Sequence, residues 1–132
     1  KNILDTQTGT IQKDLAWDGT ASAELLPEPD FLQRLYELVC KYRLTDIDRE
    51  MTSQELADDK SKAVSMIPLE HYEISVTLNG RIFLFCGDQT ALYHMTWDED
   101  AANFINAVTS VKKAVTELPE WTALPPANGG YD

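Results

Sequence analysis

The stretch from His71 to Cys86 constrains the fold most, because it carries the pattern of a β-hairpin. Apolar and polar residues alternate from 71 to 78, and Asn79-Gly80 supplies the positive φ angles of a two-residue turn. This turn length places Val76 opposite Phe83 and Ile74 opposite Phe85. We expect these aromatic and branched side chains to share one face of the hairpin and to lie in the core.

The second face of this hairpin is only partly polar. The second strand contributes three apolar or weakly polar residues to this face: Ile82, Leu84 and Cys86. The first strand contributes three polar ones: Glu73, Ser75 and Thr77. One explanation is cover by the first hairpin, by segment 45–65 or by Trp121. The other is that the strip is a docking surface, since contiguous exposed apolar area often marks a contact site. The candidate protein-contact residues are Ile82, Leu84, Cys86 and Glu73.

The flanking segments predict an α+β fold in two layers. Ala91 to Met95 extends the hairpin to a three-stranded antiparallel meander over 71–95. Apolar residues at helical spacing predict two main helices, at 29–43 and 97–118, packed on one face of the sheet. Pro119 closes the second helix, and the spacing of Thr96 and Glu99 indicates a capping box at its start.

The remaining segments give weaker patterns. Residues 10–17 and 20–26 flank the turn signal Asp18-Gly19 and predict a first hairpin, with Lys13 opposite Glu24. The spacing of Thr52 and Glu55 predicts a short helix. We therefore expect a flexible lead-in at 1–9, a single α+β domain at 10–118 and a Pro/Gly-rich tail at 119–132.

The charge of the chain restricts its partners. There are 22 acidic against 11 basic residues, a formal net charge of −11. This charge opposes the phosphate contacts on which nucleic-acid affinity depends, so nucleic acid is excluded as an expected partner. No apolar run approaches the length of ~20 residues that a bilayer span needs. We expect a protein partner, and the acidity favours a basic one.

Motifs for catalysis or for metal and cofactor binding are not recognisable. The sequence has no nucleophile elbow and no phosphate-binding loop, so no catalytic residue and no cofactor is predicted. His71 and His94 are the only histidines and by themselves make an incomplete zinc site. Glu73 or Cys86 is a conceivable third ligand, but surface or hydrogen-bonded histidines are far commoner, so no metal site is predicted. A small-ligand enzyme built around His71, His94 and Glu73 is the least favoured hypothesis.

Two acidic clusters and two cysteines give no strong signal of a metal site or of a disulfide. Asp98, Glu99 and Asp100 fall in the first turn of a helix, where the macrodipole favours negative charge. Asp46, Asp48 and Glu50 alternate like the start of a calcium loop but lack its glycine and its closing glutamate. Cys40 and Cys86 could form a disulfide, but the predicted packing points their sulfurs apart.

The order of helix, polar segment, meander and closing helix over 28–118 resembles small domains in uncharacterised surface lipoproteins of Gram-positive bacteria. The resemblance rests on the hairpin from Tyr72 to Gly87 and on the following helix. It implies an extracytoplasmic or cell-surface location and carries over no site residues; the alternative location is cytoplasmic. The leading hypothesis is a non-enzymatic binding or accessory domain. The second is an acidic immunity or inhibitor protein that neutralises a basic toxin or enzyme.

Overall fold

The computed structural model describes residues 1–129 and has an α+β fold with two antiparallel sheets. It divides into two compact units. The first contains Lys1–Tyr36 and the chain from Ser110 onward, and the second contains Glu37–Thr109. The strands are β1 (Ile3–Asp5), β2 (Thr10–Asp14), β3 (Thr20–Glu24), β4 (His71–Leu78) and β5 (Arg81–Asp88); the α-helices are α1 (Pro29–Lys41), α2 (Ser53–Leu56), α3 (Glu99–Thr116) and α4 (Pro119–Ala123).

The first unit contains the sheet β1-β2-β3, in which each strand runs antiparallel to its neighbour. Ile11, Leu15 and Leu25 are buried. The predicted first hairpin is therefore present. β1 lies within the predicted lead-in and α4 within the predicted tail, so both segments contain regular structure. The last three residues of that tail lie outside the described residues, and the domain boundaries stay a prediction.

The register of the first hairpin differs from the predicted one. Lys13 pairs with Ala21, not with Glu24. The reason is that β2 ends at Asp14, whose carboxylate accepts a hydrogen bond from the Ala16 amide at 2.9 Å. A wider loop then closes where the Leu15 N–H donates to the Gly19 carbonyl at 2.8 Å. Because the chain has left the strand, the side chain of Trp17 is exposed.

The second unit contains the hairpin of β4 and β5, and its predicted register is confirmed. Val76 pairs with Phe83, Ile74 with Phe85, and Ser75 with Leu84. The face that carries the aromatic residues packs against a cluster that includes Val39, Phe104 and Val108 from the two long helices, and Leu44, Ile47 and Met51 from the segment after α1. The burial of these apolar side chains forms the core of this unit.

The predicted third strand at Ala91–Met95 is wrong, because a 3₁₀ helix occupies Gln89–His94. The side chain of Asp88 caps this helix by accepting a hydrogen bond from the Thr90 N–H at 2.8 Å. Ala91 and His94, three residues apart, are both buried. This spacing matches the 3₁₀ repeat, in which side chains three positions apart lie on one face.

The two long helices are confirmed with shorter bounds than predicted. α1 ends at Lys41, and α3 begins at Glu99. The side chain that caps α3 belongs to Asp98, which accepts from the Ala101 N–H at 2.9 Å, so the predicted cap at Thr96 is wrong. The predicted cap of α2 is confirmed, since Thr52 accepts from the Glu55 N–H at 3.1 Å.

Candidate functional site

The outward face of the β4–β5 hairpin carries an exposed apolar strip. The exposed fraction is 70% for Ile82 and 58% for Leu84, although both are large hydrophobic side chains. Cys86 follows on the same face and is partly buried. We call Ile82, Leu84 and Cys86 the docking strip. Segment 45–65, which belongs to the same unit, therefore leaves Ile82 and Leu84 exposed in the part of the chain that the structure describes.

Segment 45–65 covers only the Cys86 end of the docking strip. Met51 runs parallel to β5 there: its N–H donates to the Cys86 carbonyl at 2.9 Å, and its carbonyl accepts from the Asp88 N–H at 3.0 Å. This approach requires Gly87, because a Cβ at that position would lie 2.6 Å from the Met51 carbonyl oxygen. The bridge thus covers the strip at Cys86 and leaves Ile82 and Leu84 exposed.

A cavity of about 240 Å³ adjoins the covered end of the docking strip. Leu84 and Cys86 form one wall of this cavity; the other wall consists of Ile47, Asp48, Arg49 and Glu50. Cover of this face by segment 45–65 was one of the expected alternatives, but the residues that lie there, Asp48 and Glu50, could not be predicted, because the segment lacks a clear hydrophobic pattern. Their alternation with Asp46 was the available signal, and it indicated only an imperfect calcium loop.

The charges around the docking strip are mainly negative. We call Asp48, Glu50 and Glu73 the acidic rim; Glu73 pairs directly with Cys86 across the hairpin. Neither Glu50 nor Glu73 forms an ion pair within residues 1–129. Arg49, the basic residue of the cavity wall, is engaged elsewhere by Asp98, with 2.6 Å between Nη2 and Oδ2. The rim is therefore suited to attract positive charge.

The thiol of Cys86 responds to this environment. Burial raises the pKa of Cys86, and the negative charges of Glu73 and Glu50 raise that pKa further, because both effects disfavour a thiolate. Cys86 and Cys40 are both free cysteines. The strip therefore presents Cys86 as a neutral, weakly polar group at neutral pH.

A buried polar network lies in the same unit and was not predicted. The Ser53 Oγ lies 2.8 Å from His94 Nε2 and accepts from the Val64 N–H at 2.8 Å. The Ser53 N–H donates to Thr90 Oγ1 at 2.7 Å, and the Thr90 hydroxyl donates to Asp88. Ser53 is fully buried, so its hydroxyl cannot meet a substrate in this conformation. The network instead joins α2 to the 3₁₀ helix at Gln89–His94.

The three residues of the small-ligand hypothesis have different surroundings. His94 is 6% exposed and lines a cavity of about 650 Å³ together with Trp97, whereas His71 and Glu73 are exposed on β4. Neither this cavity nor the smaller one contains two of the three residues. The structure therefore does not assemble His71, Glu73 and His94 into one site at either cavity.

Residues 1–129 contain no group of three or more His, Cys, Asp or Glu side chains arranged to hold a metal ion. No helix in the same range is both long and apolar enough to span a bilayer. The docking strip with its acidic rim is the most developed candidate site.

Comparisons with known proteins add no information about this site. No family model, no curated protein and no solved structure matches the chain. The resemblance to lipoprotein domains therefore stays a prediction.

Proposed function

We propose that this chain is a non-enzymatic protein-binding domain whose docking strip engages a basic, partly apolar segment of a partner protein. The observation that carries the proposal is the adjacency of Ile82 and Leu84, two large apolar side chains that remain mostly in solvent on one face of a hairpin. Exposing such side chains to water is unfavourable, and covering them with a partner would release that cost.

The acidic rim supports the choice of a basic partner. Glu50 and Glu73 flank the Cys86 end of the strip, and the whole chain carries a net charge of −11. Opposite charge speeds encounter and fixes orientation, while the apolar strip supplies affinity. A basic toxin or enzyme would be a partner of this kind, and the chain would then act as its inhibitor.

A peptide selection tests the proposal. Random 12-residue peptides displayed on phage are selected against the wild-type domain, and the enriched peptides are then titrated into two variants. The Ile82→Ser/Leu84→Ser double variant removes the strip. Leu26→Ser is the matched control, because Leu26 is an exposed leucine (86%) remote from the hairpin in sequence.

The expected peptides contain apolar residues beside lysine or arginine and bind wild type and Leu26→Ser alike. Binding to the double variant should weaken by at least about tenfold, because the variant loses the apolar contacts of two side chains with the peptide. Association with wild type should slow steeply between low and physiological salt. Equal binding to the double variant, or peptides without basic enrichment, would contradict the proposal.

A further inference from the structure

We infer that the partner segment binds by β-strand addition: it lies antiparallel to β5 and hydrogen-bonds to the backbone of Ile82 and Leu84. This inference rests on the proposed function and specifies how the docking strip is used. The inferred partner segment has two basic residues followed by two apolar residues at alternate positions. Main-chain bonds of this kind supply affinity, and the alternate side chains supply specificity.

In the described part of the chain, Arg81 to Phe85 of β5 pair with a strand along one edge only, and the cavity that separates Leu84 from segment 47–50 lies beside the other edge. One edge of β5 pairs with β4, and the isolated bridge of Met51 to Gly87 occupies the far end of the other. Within residues 1–129, no strand pairs with Arg81 to Phe85 along this outer edge. An unpaired strand edge is a template for a further strand.

The Met51 bridge shows which backbone groups point to the outer edge. Cys86 offers its carbonyl to Met51, and Asp88 offers its N–H. Backbone groups alternate in direction along an antiparallel strand, so Ile82 and Leu84 also turn their N–H and C=O groups outward. Two residues with two groups each provide four hydrogen bonds for an added strand.

The same geometry sets the side chains of the added segment. Residues directly opposite Ile82 and Leu84 would lie on the face of the docking strip and should therefore be apolar. An antiparallel segment places its N-terminal end beside Phe85, next to the cavity that Asp48 and Glu50 line. A basic pair at that end would meet the acidic rim. A second copy of this chain would bring acidic rims and net charges of −11 together, which disfavours self-pairing.

The probe is the acetylated, amidated hexapeptide Lys-Lys-Val-Thr-Val-Thr, whose first valine lies opposite Leu84 and whose second lies opposite Ile82. Its second lysine lies opposite Phe85, and its first lysine turns away from β5, because Met51 holds the outer edge from Cys86 onward. One derivative is N-methylated at both valines, whose N–H groups would bond to β5. The matched derivative is N-methylated at both threonines, whose N–H groups would point away. Affinities are measured by isothermal titration calorimetry, and amide exchange of the protein by NMR.

Strand addition predicts that methylation of the valines weakens binding about tenfold or more, whereas methylation of the threonines leaves the affinity within about threefold. Saturation with the unmodified peptide should slow exchange of the Ile82 and Leu84 amides about tenfold. The Phe83 amide faces β4, so its exchange should change little.

The other outcomes separate the two proposals. In one outcome, the Ile82→Ser/Leu84→Ser double variant does not bind the peptide, both methylated derivatives bind equally weakly, and the peptide protects no amide. This result would support the docking strip and overturn strand addition. Binding that is insensitive to the double variant would overturn both. The Ile82 and Leu84 amides could also become protected without peptide, to a degree that rises with protein concentration. This result would show that a second copy of the chain binds the edge, and it would overturn the proposal of a partner segment.

Discussion

Leu84 and Phe85 are consecutive residues of β5, yet 58% of Leu84 is exposed and only 3% of Phe85. The strand geometry causes this difference, because successive side chains point to opposite faces of a sheet. Phe85 packs into the core of the second unit, and Leu84 belongs to the docking strip. One hairpin thus supports the fold with one face and offers a binding surface with the other.

The two faces should respond differently to substitution. Phe85→Ala should lower the free energy of unfolding by ~3–5 kcal/mol, because it removes a buried aromatic side chain and leaves a cavity. Leu84→Ser should lower it by less than ~1 kcal/mol, since most of that side chain is already in solvent. Urea denaturation followed by circular dichroism measures both changes. Similar losses in the two variants would show that Leu84 is buried.

The Ser53 network should be important for stability. Ser53→Ala removes the acceptor for the Val64 N–H and the partner of His94 Nε2, both beside a fully buried position. We expect a loss of ~1–3 kcal/mol in the free energy of unfolding, because buried polar groups would be left without partners. Ser65→Ala is the control, since Ser65 is exposed. If both variants unfold at the same urea concentration, the network contributes no stability.

The thiol of Cys86 should titrate above its ordinary range. Its pKa is raised by burial and by the charges of Glu73 and Glu50. In a Cys40→Ser background, the pH midpoint for alkylation by iodoacetamide should therefore exceed that of a cysteine in an unfolded peptide, which is about 8.5. Glu73→Gln should lower the midpoint, because it removes a negative charge that disfavours the thiolate. A midpoint below the peptide value would contradict the described surroundings of Cys86.

Tyr72 should make the domain sensitive to alkaline pH. Burial raises the pKa of Tyr72, and so does the hydrogen bond from its hydroxyl to Glu70, 2.8 Å away. The folded state therefore holds the phenolic proton at pH values where the unfolded chain, with a tyrosine pKa near 10, releases it. This stabilisation is complete below about pH 10 and is lost as the pH rises toward the folded pKa.

The measurement compares wild type with Tyr72→Phe in urea denaturation between pH 8 and pH 11. The variant lacks the ionisable group, so its free energy of unfolding should fall less than that of wild type above about pH 10. Parallel curves over this range would show that Tyr72 does not cause the sensitivity.

The hairpin could be predicted in register because its signals are local. The turn at Asn79-Gly80 sets which residues face each other, and alternation sets which face is apolar. The third strand could not be predicted correctly, because the cap that Asp88 gives to the 3₁₀ helix depends on one hydrogen bond and not on a hydrophobic period. Likewise, the first hairpin lost its predicted register where Asp14 ended β2 early.

The candidate site could be predicted only in part. Ile82, Leu84, Cys86 and Glu73 follow from the hairpin pattern, and the structure places all four on one face. Asp48 and Glu50 are brought there by the Met51 bridge, a contact between residues 36 positions apart that requires the missing side chain of Gly87. Long-range contacts of this kind leave no periodic signal in the sequence.

The central claim is that the docking strip lies in solvent while the opposite face of the hairpin is packed. Solvent paramagnetic relaxation by a soluble gadolinium chelate measures this directly on the methyl groups of the free domain. We expect strong relaxation of the Ile82 and Leu84 methyl groups and weak relaxation of those of Val108, which is buried. Weak relaxation at Ile82 and Leu84 would show that the strip is covered and would contradict the account.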